Sequence, residues 1–191
     1  MKTCWIDLET TGIDENKHGV IQIAGMIIDQ NGTELSSFNY PVKPFKGQLI
    51  SKDALEVTGK TIEEIREYPD AKEVYHSLMQ TFSKVVDKYN KQDKMFFAGY
   101  NALFDWRFMY RFWENNQDNY FGSFFWFPPL DVAVIAGEFL APQRHTMANF
   151  KLATVAKTLG ITFDEGQTHD AFFDISLTMQ IYKAINQAKN A

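Results

Sequence analysis

Near the start of the chain, an apolar stretch carries two acidic residues, Asp7 and Glu9. Successive side chains of a strand point to opposite faces, so this spacing places both carboxylates on one face and Ile6 and Leu8 on the other. Two like charges held side by side repel each other, and a divalent cation such as Mg²⁺ or Mn²⁺ offsets that cost because hard cations prefer carboxylate oxygens. A second interpretation is a strand that runs into a turn with both acids solvated.

Three small or polar residues follow the two acids: Thr10, Thr11 and Gly12. Glycine weakens a strand, so we expect the strand to end here. Backbone N–H groups and hydroxyls beyond the end of a strand are hydrogen-bonding groups without a ladder partner. We therefore expect these three residues to be free to bind a substrate.

Two further acids and a histidine lie near the starts of expected helices. Asp105 follows Asn101 in the segment that joins the fourth strand to a helix, where capping and the helix dipole favour a carboxylate. Asp174 lies just over one turn inside the last helix, and His169 belongs to the loop before it, so both can reach one site. Taken alone, Asp105 is better explained as a helix cap and His169 as a surface residue.

Composition limits the class of protein. The 191 residues are 45% hydrophobic, which is enough for a substantial core, and the net charge of −5 argues against a general nucleic-acid coat protein. A lone cysteine, Cys4, cannot form an intramolecular disulfide, which favours a reducing compartment. No signal peptide and no membrane-spanning apolar stretch are recognisable, so we expect a cytoplasmic protein without membrane contact.

Hydrophobic patterning predicts one α/β domain that covers residues 1–191. The first three strands are expected to form an antiparallel meander, because an Asn-Gly pair joins the second to the third. An apolar stripe predicts a long helix whose core face extends to Tyr89, while Asp131 and Asp170 are expected to cap later helices. The stretch Phe121–Pro129 is predicted to be a short fifth strand or an edge segment that ends at the prolines. The remaining predicted elements are strands at 20–29, 33–40 and 95–100 and helices at 51–57, from 61, from 69, and at 104–115, 131–139, 149–159 and 170–188.

Three of these stretches together resemble the DEDD superfamily of 3′–5′ exonucleases, in its histidine-bearing branch. The motifs stand in the order of the family at Asp7-Leu8-Glu9, at 101–105 and at 169–174. The tyrosine branch would place a tyrosine at position 170, where this chain has Asp170 after His169. The Asn-x-x-Phe-Asp form of the second motif is similar to that of ribonuclease T, and proofreading subunits share the same skeleton.

The resemblance implies a ribonuclease H-like fold, with a mixed five-stranded sheet, an antiparallel meander at one edge and helices on both faces. It implies two divalent cations, Mg²⁺ or Mn²⁺: Asp7 would bridge them, Glu9 and Asp174 would complete one site, and Asp105 would support the other. His169 would accept the proton of the attacking water, since its ordinary pKa near 6.5 leaves it neutral at physiological pH.

The resemblance also implies a substrate, the 3′ end of single-stranded DNA or RNA, released as nucleoside 5′-monophosphates. Asn101 and Phe104 are then candidate substrate contacts, with Phe104 stacking on a base; alternatively, Phe104 seats its helix on the sheet. A polymerase or repair protein is a possible partner. The aromatic stretch 121–126 could form a homodimer surface or ordinary core.

Two other classes of function remain open from the sequence. A phosphatase acting on small nucleotides would use similar metals, although it would not need the three residues at 10–12 where the strand is expected to end. A nucleic-acid-binding module without chemistry would need none of the four acids or His169. A labelled oligonucleotide incubated with Mg²⁺ separates the three, because only the exonuclease produces a ladder.

Overall fold

The computed structural model describes residues 1–164, 166 and 170–190. Its five-stranded sheet has the order β3-β2-β1-β4-β5. The first three strands form an antiparallel meander, whereas β4 is parallel to both β1 and β5. This confirms the predicted mixed sheet with a meander at one edge. The strands are β1 Lys2–Thr10, β2 Val20–Ile28, β3 Glu34–Pro41, β4 Met95–Gly99 and β5 Phe125–Asp131.

Helices cover both faces of the sheet. None of the helices in the described ranges is long and apolar enough to span a bilayer. Short 3-10 helices lie at Phe121–Ser123 and Ala141–Thr146. The α-helices in the described ranges are α1 Lys52–Thr58, α2 Ile62–Arg66, α3 Ala71–Val85, α4 Ala102–Asn115, α5 Val132–Phe139, α6 Leu152–Thr158 and α7 Ala171–Lys189.

The central strand β1 is covered on both faces, and the two faces belong to different cores. Cys4, Ile6 and Leu8 pack with α3 and α4 in the first core. Trp5 packs with α5, α6 and α7 in the second. Because side chains alternate along a strand, the face that carries Trp5 also carries the next two odd-numbered residues, which are the acids of the first motif. The sheet therefore directs both acids toward the α7 side.

The aromatic stretch before β5 is mostly core. Phe121, Phe124 and Phe125 are at most 2% exposed, whereas Trp126 is 38% exposed. Phe121 contacts the ring of Trp106 with ring centroids 5.0 Å apart. The three phenylalanines therefore support the sheet, as one of the two interpretations of this stretch predicted.

Several boundaries differ from the prediction, and for two of them the structure shows the reason. The long helix ends at Val85, and Tyr89 is 87% exposed instead of extending the core stripe. The Asp87 side chain accepts a hydrogen bond from the Tyr89 N–H at 3.0 Å, which stabilises a turn in place of another helical turn. Strand β5 continues through Pro128 to Asp131. Proline is tolerated there because β5 is an edge strand and its pairing with β4 is irregular at that point.

Candidate active site

The first two acids lie at the carboxyl end of the central strand. Asp7 pairs with Ala24 of β2, and Glu9 pairs with Gln22. Both carboxylates lie on the face against which α7 packs, and both residues are half-buried. Charged groups in such a position lose much of their hydration, so their protonation depends on their neighbours.

The start of α7 brings a third acid to this face. The Asp170 side chain accepts a hydrogen bond from the Phe173 N–H at 3.0 Å, which confirms the predicted helix cap. The cap places Asp174 in the first turn of α7, where it is half-buried. Its charge raises the pKa of both Asp7 and Glu9, so the three carboxylates share one electrostatic environment.

A fourth acid comes from the parallel strand next to β1. Because β4 runs parallel to β1, the helix that follows it begins at the same end of the sheet. Asp105 lies in the first turn of this helix, α4, and is only 5% exposed. The backbone groups of Leu8 and of Asp105 itself hydrogen-bond its carboxyl, which holds it against β1. The structure therefore brings these four acids of motifs one, two and three to one end of the sheet, where Asp7 interacts electrostatically with the other three.

Burial and mutual repulsion make these carboxylates hard to ionise. Burial raises the pKa of Asp7 well above its ordinary value, and the charge of Asp105 raises it further. Burial likewise raises the pKa of Asp105, although its backbone hydrogen bonds oppose the shift. Burial, followed by the charge of Asp174, raises the pKa of Glu9 to about 7. Three acids in this state, with the charge of Asp174 beside them, favour a cationic ligand, which would stabilise the carboxylates in the charged form.

The donor set fits a divalent cation in its chemistry. Carboxylate oxygens are the ligands that Mg²⁺ and Mn²⁺ prefer. Within the described ranges, however, no three His, Cys, Asp or Glu side chains already stand in the arrangement of a bound ion. The fit therefore rests on the electrostatic coupling of Asp7, Glu9, Asp105 and Asp174.

Asp131, the last residue of β5, organises the backbone near the site. The Asp131 side chain accepts hydrogen bonds from Ala133 and Val134 N–H groups, which confirms it as the cap of α5. It also accepts a hydrogen bond from the Asn101 N–H at 3.1 Å. Asn101 has φ 61°, in the left-handed region, and its side chain makes no capping hydrogen bond to α4. Its exposed amide thus remains a candidate substrate contact.

The three residues that follow the acids do not all behave as predicted. Thr11 is fully buried, and its hydroxyl donates to the Leu49 carbonyl and accepts from the Gly19 N–H. The prediction that this hydroxyl is free to bind substrate is wrong, because both of its hydrogen bonds are used within the protein, one of them to connect the loop to the segment before α1. The Thr10 hydroxyl donates to the Gly12 carbonyl at 2.8 Å. A side chain at Gly12 would collide with the ring of His18, at 2.3 Å from a Cβ, so this position needs glycine.

An open groove of about 380 Å³ is lined by one of the four acids, Glu9, and by Thr10 and Gly12. Phe104 also lines it, half-buried, with its ring centroid 4.8 Å from that of Phe108. The volume suits one nucleotide, since small-molecule sites are usually about 300–1,000 Å³. A larger groove of about 970 Å³ lies along the later turns of α7 and reaches none of the four acids.

One predicted site residue falls outside the described ranges, and two residues of the groove fall outside the motifs. His169, the predicted general base, lies outside the described residues. Ile13 and Val57 form apolar walls of the groove and are 85% and 61% exposed, yet sequence reasoning did not identify them. The available signal was an apolar residue directly after the strand exit at Gly12.

Similar proteins agree with this geometry. Ribonuclease T of Buchnera aphidicola subsp. Baizongia pistaciae is 29% identical, over 96% of this chain and 83% of its own. Ribonuclease T of Photorhabdus laumondii subsp. laumondii is 28% identical, over 93% and 80%. The fold matches that of E. coli Exonuclease I in complex with a dT13 oligonucleotide, with a TM-score of 0.76 and 20% identity. The match covers 96% of this chain and 40% of Exonuclease I, so the chain spans less than half of that structural neighbour.

One family model covers nearly the whole sequence. RNase_T, described as Exonuclease, matches residues 4–182, a range that includes all four acids and His169. The chain therefore belongs to the RNase_T family of exonucleases, within the DEDD superfamily of 3′–5′ exonucleases.

Proposed function

We propose that this exonuclease removes nucleotides from unpaired 3′ ends with two divalent cations, Mg²⁺ or Mn²⁺, and releases nucleoside 5′-monophosphates. The family depends on divalent metals. The observation that carries the proposal is the electrostatic coupling of Asp7 to Asp105, Glu9 and Asp174 beside an open groove. Two cations are proposed because four carboxylates supply more negative charge than one divalent ion neutralises.

Each residue has a role in this scheme. Asp7 is assigned as the ligand shared by both cations, Glu9 and Asp174 as ligands of one, and Asp105 as support of the other. Cations held by these residues would supply a lower pKa for the attacking water and positive charge near the attacking and leaving oxygens. A ring nitrogen of His169 accepts the proton of that water. The water oxygen then bonds to phosphorus as the bond to the 3′ oxygen of the penultimate nucleotide breaks. That oxygen takes a proton from solvent to become a 3′ hydroxyl, and the phosphate stays on the 5′ oxygen of the released nucleoside.

The groove supports a single-stranded substrate. A terminal base that leaves its stack needs new contacts, and Phe104, Ile13 and Val57 offer apolar surface beside Glu9. Ribonuclease T, by name, acts on RNA, whereas Exonuclease I is bound to a dT13 oligonucleotide. We therefore propose an unpaired 3′ end as the substrate. A direct comparison of DNA with RNA then determines which sugar the enzyme prefers.

The test uses 5′-labelled DNA and RNA oligonucleotides of one sequence, each offered single-stranded and as a blunt duplex. We expect a ladder that shortens from the 3′ end, nucleoside 5′-monophosphates as products, and faster cleavage of single strands. The ratio of kcat/KM for the two sugars ranks the substrates. Release of inorganic phosphate without shortening would support the phosphatase alternative, and binding without cleavage would support the binding module.

The His169→Ala substitution is expected to lower kcat by roughly 10²–10⁴-fold, because it removes the proposed general base. The fall in rate at acidic pH should become shallower, since protonation of the histidine no longer limits the reaction. The Mg²⁺ concentration for half-maximal activity should stay the same. A variant that fails to bind the metal but recovers at high Mn²⁺ would instead make His169 a ligand.

The Phe104→Ala substitution is expected to raise KM for oligonucleotides by about 5- to 160-fold, because base stacking contributes about 1–3 kcal/mol. Phe108→Ala is the matched control, since Phe108 contacts Phe104 but is only 2% exposed. That core substitution should cost about 3–5 kcal/mol of stability and leave KM unchanged. If Phe104→Ala lowers the melting temperature as much as Phe108→Ala and leaves KM unaltered, the stacking role is refuted.

A further inference from the structure

Lys60 occupies a short connection with a fixed backbone between α1 and α2. Helix α1 ends at Gly59, whose φ of 65° lies in the left-handed region. Helix α2 begins after Thr61, whose side chain forms a capping box with Glu64. Lys60 is half-buried between these two defined ends. The backbone conformation of Lys60 is thus fixed by the cap that ends α1 and by the cap that begins α2.

The ammonium group of Lys60 lies within electrostatic reach of the active site. Its charge acts on the carboxylate of Glu9, which lines the groove. The charge of Lys60 also acts on Glu64. The carboxylate of Glu64, however, already accepts hydrogen bonds from the N–H and the hydroxyl of Thr61, at 2.8 and 3.0 Å. Within the described part of the chain, the Lys60 ammonium forms no hydrogen bond or ion pair. It therefore has donors to offer a ligand.

The groove itself lacks positive charge. Its described lining includes the acids Glu9 and Asp53 but no lysine or arginine. A nucleic acid strand brings one negative charge per phosphate, and these charges would be repelled by the acids of the groove. Helix α1 supplies one wall of the groove through Ala54, Val57 and Thr58, and Lys60 follows that wall by two residues. The lysine therefore lies next to the groove, at the end of the wall that α1 forms.

We propose that Lys60 binds a backbone phosphate of the substrate strand at the mouth of the groove and so offsets the repulsion between the strand and the acids. The inference rests on the proposed exonuclease function. Lys60 is a substrate-binding residue in this scheme and takes no part in bond cleavage.

The test compares Lys60→Met and Lys60→Arg with the wild-type protein and with Lys72→Met. Lys72 is exposed on α3 and does not line the groove, so this control removes the same charge away from the groove. We expect Lys60→Met to lower kcat/KM for a single-stranded oligonucleotide by about tenfold, mainly through KM, because a charged hydrogen bond is lost. Lys60→Arg should stay close to wild type, since arginine also binds phosphate.

A salt series provides a readout that a purely structural role would not change. At fixed Mg²⁺, the slope of log(kcat/KM) against log[KCl] should become shallower by about 0.7 in Lys60→Met, the value for one phosphate contact on a single strand. Fluorescence anisotropy with a labelled oligonucleotide in EDTA should show the same change of slope for binding. Lys72→Met should leave both slopes as in the wild type.

The outcomes separate this inference from the proposed function. A wild-type protein that fails to shorten the oligonucleotide refutes the function, whatever the variants do. If the wild type cleaves and Lys60→Met matches Lys72→Met, only the phosphate contact is refuted. An unchanged salt slope together with a shifted Mg²⁺ requirement would show that Lys60 acts on Glu9, and would also overturn the inference.

Discussion

Replacing Asp7 by asparagine is expected to lower kcat by about 10⁴-fold or more, because it removes the carboxylate assigned to both cations and the remaining groups act as a unit. The fold should survive, since asparagine has nearly the same shape. The melting temperature of the metal-free protein should rise. Burial and the charge of Asp105 already disfavour the ionised form of Asp7, so a neutral side chain relieves that cost. Steady-state kinetics with Mg²⁺ and thermal unfolding in EDTA measure the two effects.

A suitable control for this substitution is Glu63→Gln. Glu63 is exposed in the first turn of α2, so the change removes one negative charge outside the site. It should alter neither kcat nor the melting temperature by much. Wild-type rates in Asp7→Asn would remove Asp7 from the metal site, and a large fall in its melting temperature would show that the carboxylate stabilises the fold.

The acids of the site were predictable from sequence because their positions follow from local rules. Strand alternation alone places Asp7 and Glu9 on one face, and Asp105 and Asp174 fall in first helical turns that the sequence pattern locates. Parallel pairing of β1 and β4 then brings the strand and the helix together at one end of the sheet. The family assignment and the enzyme class predicted from these motifs are confirmed.

Other features depend on partners distant in sequence, which local patterns do not reveal. Thr11 looked available, but its hydroxyl bonds to Leu49, 38 residues away. Tyr89 fitted the spacing of a helical stripe, but the turn at Asp87 competes with the helix there. Lys60 belongs to no motif, and its electrostatic interaction with Glu9 arises because α1 forms one wall of the groove.

Removal of divalent metal is expected to abolish activity completely, and Mg²⁺ or Mn²⁺ should restore it. Calcium should bind without supporting rapid cleavage, because it is larger and accepts a less regular geometry. The measurement is the rate of oligonucleotide shortening after EDTA treatment and after each cation is added back. Undiminished turnover in EDTA would refute the two-metal proposal.

The metal-free protein should also lose stability as the pH rises. The pKa of Glu9 is raised from 4.5 to about 7 in the folded protein, so between these values the folded state binds more protons than the unfolded state. Stability rises with pH only where the unfolded state binds more protons; here the free energy of unfolding should fall as pH increases from about 4.5 to about 7. Mg²⁺ should reduce this loss, because a bound cation stabilises the carboxylates in their charged form.

The Glu9→Gln substitution isolates the contribution of Glu9 to the pH dependence of stability, because glutamine cannot ionise. In EDTA, its melting temperature should depend on pH less steeply than that of the wild type across the same range. Asp7 and Asp105 have raised pKa values as well, so part of the slope should remain in this variant. If the wild-type melting temperature instead rises with pH in EDTA, or if Mg²⁺ leaves its pH dependence unchanged, the four carboxylates are not destabilising one another and the argument for a cation between them is lost.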